Sequence, residues 1–352
     1  MTAAFTGEDH RLMAHALRLA ERGLYTTDPN PRVGCVLVRD GRQVGEGWHR
    51  KAGEPHAERL ALAQAGARAG GATAYVTLEP CSHHGRTPPC ADALIEAGVT
   101  RVVVAMRDPN PLVAGQGLAR LGEAGIDVRV GLLEADAAAL NRGFVQRMQH
   151  GRPYVRCKLA MSLDGRTAMA SGESQWITGE DARRDVQLLR ARSSAILTGV
   201  ATVLADDPSL NVRLPVQALF GVEREDSLRQ PLRVVLDTRL RTVPRARMLG
   251  LPGDTLIICG DGAPIETESE LRAAGADVAR LPQLGGRLDL AKVMALLADR
   301  SVNELLVEAG PTLAGSLLQV GLVDELIVYI APHLMGHAAR GLVGLPGLER
   351  MD

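Results

Sequence analysis

The chain of 352 residues alternates helix and strand patterns along its length, and one break at Gly151-Arg152-Pro153 interrupts that alternation. A helical pattern runs up to the break over 134–148, and a strand pattern follows it over 154–161. A chain of this length usually forms more than one hydrophobic core. The sequence therefore predicts two α/β domains, comprising residues 1–150 and 151–352.

The periodicity predicts the elements of both domains. In the first domain it predicts helices at 8–22, 56–66, 90–97, 118–124 and 134–148, with strands at 33–39, 43–48, 72–78, 101–106 and 126–130, a three-layer α/β/α pattern. In the second it predicts helices at 179–190, 290–298 and 312–320, with strands at 154–161, 195–198, 232–236, 255–259, 304–307 and 325–330. The charged stretch 215–230 lacks a clear period and is predicted to be a surface loop.

The composition excludes several classes of protein. Lys and Arg total 40 against 41 Asp and Glu, so the chain lacks the positive charge on which general nucleic-acid binding depends. No apolar run is long enough to cross a bilayer, and the N-terminus has no signal-peptide core. Five cysteines are too few for a disulfide framework in so long a chain. We therefore expect a cytoplasmic protein that acts on a small molecule and binds neither nucleic acid nor membrane.

Three residues have the spacing and the chemistry of a catalytic zinc site. Glu58 follows His56 by two positions, and eight residues separate Cys81 from Cys90. One imidazole and two thiolates leave the fourth tetrahedral position of zinc to water, whose pKa the metal lowers to about 7. Glu58 is placed to carry the proton of that water to a leaving amine, as in zinc nucleobase deaminases. His56 and Cys90 also fall at predicted helix N-termini, where the dipole favours a thiolate.

Two other interpretations of this pattern stay open. A structural zinc site normally has four protein ligands, and His83 or His84 could supply the fourth. The residues could also be unrelated, although His-x-Glu and the later Pro-Cys would then coincide by chance. The pattern favours catalysis.

One turn in the second domain has the features of an anion site. The run Gly310-Pro-Thr-Leu-Ala-Gly315-Ser316 follows a predicted strand and opens a predicted helix, so its N–H groups could face a phosphate. It lacks the lysine of a nucleoside-triphosphate loop, which disfavours ATP. A tight turn that needs glycine for a positive φ would explain the same letters, and the residues alone leave both interpretations open.

These motifs together resemble a known family. The segments Asn30-Pro-Arg-Val-Gly, His56-Ala-Glu and Thr77-Leu-Glu-Pro-Cys, with Gly-Arg-Thr-Pro-Pro in the spacer before Cys90, are similar to the bifunctional deaminase–reductase of riboflavin biosynthesis. The similar segments of the second half are Lys158-Leu-Ala-Met-Ser-Leu-Asp-Gly-Arg-Thr, Ser171-Gly-Glu-Ser-Gln-Trp-Ile-Thr, Thr202-Val-Leu-Ala-Asp-Asp-Pro and Val307-Glu-Ala-Gly-Pro. The resemblance implies a cytidine-deaminase-like first domain and a second domain with the fold of dihydrofolate reductase.

For the first domain, the resemblance implies zinc-dependent removal of an amino group from a pyrimidine that carries a phosphoribosylamino chain. Asn30 and His49 would contact this substrate. Arg86 would face its phosphate, and Asp108 and Asn110 would lie near its ribose. Plainer interpretations stay open for these residues, since Asn30 between prolines and Asp108-Pro-Asn-Pro are also good turn sequences.

For the second domain, the resemblance implies hydride transfer from NADPH to C1′ of the ribosyl chain. The implied cofactor contacts are Ala160, Trp176, Thr202, Asp206, Thr238, Gly310, Pro311, Thr312, Leu313, Ala314, Gly315 and Ser316. The implied substrate contacts are Ser174, Arg190, Leu210, Arg213 and Glu308. Asp206 and Lys158 are both candidates for the group that supplies a proton. Arg190 and Arg213 suit phosphate binding, although either could instead pair with a carboxylate.

The resemblance raises two further expectations. Family members commonly assemble through the reductase half, so a dimer or tetramer is expected. The sequence ends at Arg350-Met-Asp, soon after the strand predicted at 325–330, whereas relatives usually continue with one more strand. The sequence leaves open whether the reductase half has its last strand. An alternative function is therefore a deaminase that acts on another nucleotide or on tRNA, beside an inactive reductase half.

Overall fold

The computed structural model describes residues 5–82, 89–111, 113–174, 176–220 and 228–349. The chain divides into two compact units, Met1–His150 and Gly151–Asp352. Each unit combines helices with its own large sheet, so the expected α/β class is confirmed. None of the helices in the described ranges is long and apolar enough to cross a lipid bilayer.

The first unit is built on a five-stranded sheet. Its helices are α1 (Gly7–Glu21), α2 (Ala57–Ala65), α3 (Cys90–Glu96), α4 (Gln116–Glu123), α5 (Glu134–Leu140) and α6 (Arg142–His150). Its strands are β1 (Gly34–Arg39), β2 (Arg42–Trp48), β3 (Thr73–Val76), β4 (Arg101–Val104) and β5 (Asp127–Val130). The strand order is β2-β1-β3-β4-β5, in which β1 is antiparallel to β2 and β3, whereas β3, β4 and β5 are parallel.

Helices cover both faces of this sheet. Successive strand residues point to opposite faces. Leu37 of β1 accordingly lies in an apolar cluster with Ala61 of α2 and Leu94 of α3. Its neighbour Val36 lies in a second cluster with Met13 of α1. The sheet is therefore the middle layer of an α/β/α structure.

The helix predicted at 134–148 is wrong in one respect, because the structure breaks it into α5 and α6 at Asn141. The buried Asn141 side chain accepts a hydrogen bond from the Arg32 N–H at 2.8 Å and donates one to the Arg32 carbonyl at 2.9 Å. These partners are 109 residues apart in the chain. A local helical period cannot reveal a break that a distant backbone segment determines.

The second unit is built on a seven-stranded sheet. Its helices are α7 (Glu180–Arg192), α8 (Val200–Asp206), α9 (Val216–Phe220), α10 (Ile265–Ala273), α11 (Leu290–Asp299) and α12 (Pro311–Gln319). Its strands are β6 (Tyr154–Ser162), β7 (Arg166–Ala168), β8 (Ala195–Gly199), β9 (Leu232–Leu236), β10 (Thr255–Gly260), β11 (Asp277–Leu281), β12 (Gln283–Leu284), β13 (Arg287–Leu288), β14 (Glu304–Glu308), β15 (Glu325–Ala331) and β16 (Arg340–Gly341). The large sheet has the order β11-β10-β9-β8-β14-β6-β15, and each neighbouring pair in it is parallel.

Parallel strands bring their carboxyl ends to one edge of this sheet, where α/β proteins commonly bind ligands. Lys158 of β6 lies opposite Glu308 at the end of β14. The inner residues Leu305, Leu306 and Val307 of β14 are fully buried, as expected for a strand covered on both faces. The sheet therefore places two charged residues opposite each other on neighbouring strands, with Glu308 at the carboxyl end of β14.

Sequence reasoning missed several elements of the second unit. The helix α10 was not predicted, because only Leu271 in it is buried and its other residues show no apolar stripe. The helix α8 and the strand β11 were also missed. The loop predicted at 215–230 is wrong over Val216–Phe220, where α9 forms a short helix, and its residues 221–227 lie outside the described residues.

Candidate functional site

The structure brings His56, Cys81 and Cys90 together in the first unit. His56 Nδ1 lies 3.6 Å from Cys81 Sγ and 3.4 Å from Cys90 Sγ, and the three donor atoms lie within 4.8 Å of one another. His56 occupies the N-cap position of α2, and Cys90 is the first residue of α3. The Cys90 N–H donates to Cys81 Sγ at 3.3 Å. Two helix N-termini therefore converge on these donors, and their dipoles stabilise negative charge on sulfur.

The electrostatics of this cluster differ from residue to residue. A hydrogen bond from the Cys90 thiol lowers the pKa of Cys81 to about 4, although partial burial opposes this. The same bond raises the pKa of Cys90. Burial raises the pKa of Glu58, and the neighbouring His56 partly opposes that rise. The cluster thus contains one readily formed thiolate beside a buried carboxyl group.

A second pair of polar side chains lies next to these donors. The rings of His49 and His56 meet edge to face, with centroids 5.3 Å apart. His49 Nδ1 lies 3.3 Å from the Pro55 carbonyl and Nε2 lies 3.1 Å from Asn30 Nδ2. We assign the proton to Nδ1, which donates to Pro55, so that Nε2 accepts from the Asn30 amide. Burial lowers the pKa of His49, which favours the neutral ring that this assignment requires.

Asp108 and Asn110 follow β4 and are half-buried. Asp108 Oδ1 accepts a hydrogen bond from the Asn110 N–H at 2.9 Å, which is the Asx turn expected from their sequence. Arg86, like His83 and His84, lies outside the described residues. The structure therefore gives no position for the expected phosphate contact in the first unit.

Sequence reasoning missed two buried polar residues that hold the loops of this site. Asn141 holds both backbone groups of Arg32, close in sequence to Asn30. The Glu79 carboxylate holds the backbone of Asp108 and the start of α4. The position of Glu79 directly after a buried strand and before Pro80-Cys81 was the available signal.

The second unit contains a cavity of about 1550 Å³ at the carboxyl ends of its strands. It gathers most of the residues that the resemblance singles out. The expected residues that line it are Lys158, Ala160, Ser174, Trp176, Arg190, Thr202, Asp206, Leu210, Arg213, Thr238, Glu308, Gly310, Pro311, Thr312, Leu313 and Ser316.

Two expected cofactor contacts, Ala314 and Gly315, do not line this cavity. Ala314 is fully buried in the core of the second unit. A Cβ on Gly315 would lie 1.9 Å from the Gly344 carbonyl oxygen, so the close approach of that segment requires glycine here. Both residues therefore face the protein interior and not the cavity.

Gly310 is different from Gly315. Its φ of −73° and ψ of 174° describe an extended backbone that any residue adopts. A Cβ at this position would meet nothing within 4 Å. Neither backbone strain nor packing requires glycine at Gly310, so the tight-turn interpretation loses its basis there, and the space in front of the α12 N-terminus is open.

A buried ion pair forms the charged part of the cavity. Arg190 Nε and Nη2 donate to the two carboxylate oxygens of Glu308 at 2.6 and 2.8 Å, and Nη1 donates to the Asn211 carbonyl at 3.0 Å. Burial alone would raise the pKa of Glu308, but Arg190 and then Lys158 bring it below its usual value. Burial lowers the pKa of Lys158, with Glu308 opposing and Arg190 adding to the effect.

The remaining candidates lie nearer to solvent. Asp206, at the end of α8, and Arg213 are both exposed, and Trp176 is 69% exposed. The Arg183 guanidinium lies over the Trp176 ring, 4.8 Å from its centroid. The structure therefore separates Lys158, which is shielded beside Glu308, from Asp206, which is in contact with water.

Both halves of the chain match known families. Residues 153–351 match the model of the RibD C-terminal domain, and residues 6–106 match that of the cytidine and deoxycytidylate deaminase zinc-binding region. The riboflavin biosynthesis protein RibD of Escherichia coli is 58% identical over 98% of this chain and 93% of its own length. The chain belongs to the RibD family. The RibD protein of Haemophilus influenzae is 53% identical over 99% of this chain and 92% of its own length.

Solved RibD structures agree with this assignment. One crystal form of Acinetobacter baumannii RibD is 49% identical, covers 98% of this chain and 92% of that chain, and has a TM-score of 0.88. A Thermotoga maritima enzyme is 33% identical, with a TM-score of 0.82 over 98% of this chain and 91% of that chain. This RibD family member is thus an enzyme of riboflavin biosynthesis with a deaminase half and a reductase half. Because RibD relatives match both halves, the alternative of a deaminase with an inactive reductase is not favoured.

Proposed function

We propose that the first unit removes an amino group from a phosphoribosylamino pyrimidine with the help of zinc, and that the second unit then reduces the ribosyl chain with NADPH. The observation that carries this proposal is the convergence of His56, Cys81 and Cys90 beside the buried Glu58. The Thermotoga maritima relative is named a diaminohydroxyphosphoribosylaminopyrimidine deaminase and 5-amino-6-(5-phosphoribosylamino)uracil reductase, which supports this substrate class.

The donor set of the first unit fits zinc. One imidazole nitrogen and two cysteine sulfurs are preferred zinc ligands, and here the donor atoms lie within 4.8 Å of one another. When bound, zinc would supply a water of lowered pKa as the nucleophile at neutral pH. Metal binding also favours thiolates over thiols, which suits Cys81 with its lowered pKa.

Glu58 is the group that we assign to proton transfer. Its carboxylate would accept a proton from the attacking water and return that proton to the departing amine. Burial raises the pKa of Glu58, and this brings that pKa closer to neutral pH. A carboxyl group with a pKa nearer to neutral pH is better suited than an exposed glutamate both to accept and to release a proton.

Asn30, His49 and the loop after β4 are assigned to substrate recognition. Since His49 Nε2 accepts from the Asn30 amide nitrogen, the Asn30 carbonyl oxygen would accept from an N–H group of the pyrimidine. Asp108 and Asn110 would hold the ribose. Arg86 would bind the phosphate through the paired bonds that a guanidinium makes.

The cavity of the second unit fits a dinucleotide. The space in front of Gly310 leaves room for a pyrophosphate near the first N–H groups of α12, those of Thr312 and Leu313. When bound, NADPH would supply the hydride that converts the ribosyl chain into a ribityl chain. The other proposed cofactor contacts are Ala160, Trp176, Thr202, Asp206, Thr238, Pro311 and Ser316.

Of the two candidate proton donors, we assign the step to Lys158. Lys158 lies opposite Glu308 in the sheet and its pKa is lowered by burial, so Nζ releases a proton more readily than that of an exposed lysine does. Asp206 is exposed and would donate at best through solvent. Arg190 already binds Glu308 and Asn211, so we assign it to holding Glu308 in place. Arg213 then becomes the phosphate contact, and Ser174 and Leu210 line the substrate.

One experiment tests both activities and their order. With the aminated pyrimidine nucleotide, the Glu58→Gln variant should give no NADPH oxidation, whereas with the deaminated intermediate it should oxidise NADPH at the wild-type rate. The exposed Glu21 provides a matched control, because Glu21→Gln should leave both rates unchanged. NADPH oxidation by Glu58→Gln on the aminated nucleotide would contradict the proposed order.

The cytoplasmic location and the dimer or tetramer stay predictions. Analytical ultracentrifugation of the full chain checks the oligomeric state. A monomer at micromolar concentration would contradict the predicted dimer or tetramer.

A further inference from the structure

The Glu79 carboxylate accepts hydrogen bonds from four backbone N–H groups. Its Oε2 accepts hydrogen bonds from the N–H groups of Asp108 at 3.1 Å and Gly115 at 3.0 Å. Its Oε1 accepts from Gly117 at 2.9 Å and Leu118 at 3.4 Å. Glu79 is 4% exposed. One buried carboxylate therefore joins the two ends of the segment between β4 and α4.

The start of α4 explains why a carboxylate is stable here. The first N–H groups of a helix have no partner within the helix, and the positive end of its dipole favours an anion. Gly115, which precedes α4, has a φ of 84° and offers no capping side chain. Glu79 supplies the missing cap from a different part of the chain.

The start of α4 also packs closely against the segment that leads to the metal cluster. A Cβ on Gly117 would lie 2.0 Å from the Pro80 carbonyl oxygen, so the helix start lies directly against the backbone between Glu79 and Cys81. The same short segment, Glu79-Pro80-Cys81, thus carries one donor of the cluster and holds the backbone of Asp108. The spacing between the cluster and the Asp108 turn is therefore fixed by Glu79.

We propose that Glu79 is a positioning residue of the deaminase, which holds the Asp108 turn in register with the metal cluster and so makes the enzyme prefer a pyrimidine nucleotide to the free pyrimidine. This inference rests on the proposed contact of Asp108 and Asn110 with the ribose. Glu79 itself touches neither substrate nor reacting atoms in this assignment. It acts through the backbone of the Asp108 turn.

The test compares the full-length wild type with Glu79→Gln, which keeps the shape but replaces an acceptor oxygen by an NH₂ group facing N–H donors. Deamination is measured with the pyrimidine nucleotide and with the same pyrimidine lacking its phosphoribosyl group. The KM for the nucleotide should rise about tenfold, as for loss of charge-assisted hydrogen bonds. The kcat, the bound zinc and the turnover of the free pyrimidine should stay within about twofold, the scatter expected when no bond to the reacting groups is lost.

Two further variants complete the test. Glu79→Asp keeps the charge but is one methylene shorter, and its nucleotide KM should lie between those of the wild type and Glu79→Gln. The matched control is Glu123→Gln, at the exposed far end of α4, which should leave the nucleotide KM unchanged. The bound zinc and the turnover of the free pyrimidine report whether the first unit of each variant is folded, and the reductase activity reports that the full chain is produced.

Several results would overturn the proposal. Loss of zinc, or an equal fall in kcat on both pyrimidines, would mean that Glu79 only supports the metal loop. If Glu79→Gln does not fold, an unaltered nucleotide preference in Glu79→Asp overturns the proposal equally. An Asp108→Ala variant separates this inference from the proposed function. If Asp108→Ala keeps the nucleotide preference, the proposed ribose contact fails. If Asp108→Ala changes this preference but the Glu79 variants do not, the role of Glu79 is overturned.

Discussion

The two units assemble their sites in opposite ways. In the first unit, His56, Cys81 and Cys90 come from a short stretch of chain, and two helix N-termini bring their donor atoms within 4.8 Å. In the second unit, the cavity of about 1550 Å³ draws on strand ends and helices from Lys158 to Arg340. A compact site leaves a pattern of spacing in the sequence, whereas a dispersed site leaves separate segments that only a resemblance connects.

The largest effect should come from removing one donor of the compact site. We expect Cys90→Ser to lose bound zinc and to deaminate more than about a thousandfold more slowly, because the pKa of unbound water is about 15.7. Its reductase activity on the deaminated intermediate should be retained. Metal analysis and the two separate assays check this. Cys259→Ala, which removes another buried thiol, should keep its zinc, and full zinc content in Cys90→Ser would contradict the assignment.

The dispersed site should be sensitive to one shielded charge. We expect Lys158→Gln to lower the kcat of reduction by about 10²–10⁴-fold, the usual contribution of a general acid, and to leave deamination unchanged. Steady-state NADPH oxidation with the deaminated intermediate measures this. The exposed Lys292 serves as the matched control. A small effect of Lys158→Gln together with a large effect of Asp206→Asn would reverse our choice of proton donor.

The pH dependence of reduction sharpens the same assignment. Burial lowers the pKa of Lys158, and the step needs the protonated ammonium. Reductase activity should therefore be full at lower pH and should fall about tenfold per pH unit once the pH exceeds the pKa of Lys158. This fall should begin at a pH below the pKa of an exposed lysine. The profile of kcat/KM against pH checks this. Lys158→Arg should move the fall to higher pH, and an unmoved profile would show that another group titrates.

The smallest effect concerns the stability of the first unit. Asn141→Ala removes both hydrogen bonds to the Arg32 backbone and leaves a buried N–H and a buried carbonyl, which should cost about 2 kcal/mol of unfolding free energy. Denaturant unfolding monitored through loss of deaminase activity measures this. The exposed Gln149 of α6 provides a control, since Gln149→Ala should change stability by less than about 0.5 kcal/mol.

The sequence predicts what depends on neighbours in the chain and misses what depends on distant partners. The strands β1 and β2 and the helices α1 and α2 were placed to within a residue or two, because apolar periodicity and turn residues are local signals. The spacing of His56, Cys81 and Cys90 along the chain likewise predicts that they form one site, and their donor atoms do converge. The helical period predicts Asn141 within one continuous helix, because its partner, Arg32, lies far away in the chain.

The second unit shows the same limit at the level of single side chains. The resemblance led to the Gly310 turn, but the letters could not tell that Ala314 and Gly315 face the interior while Gly310 faces open space. The sequence likewise left open whether Arg190 binds phosphate or pairs with a carboxylate, because its partner Glu308 lies 118 positions away in the chain. Both depend on how α7, β14 and α12 pack against one another.

The pairing of Asn141 with Arg32 has a consequence for synthesis on the ribosome. Chains grow from the N-terminus at about 5–20 residues per second, so the segment that carries Asn30 emerges well before its anchor, which lies 109 residues beyond Arg32. During that interval the two hydrogen bonds between Asn141 and the Arg32 backbone cannot form. The first unit therefore acquires this contact only after nearly all of its own 150 residues have been translated.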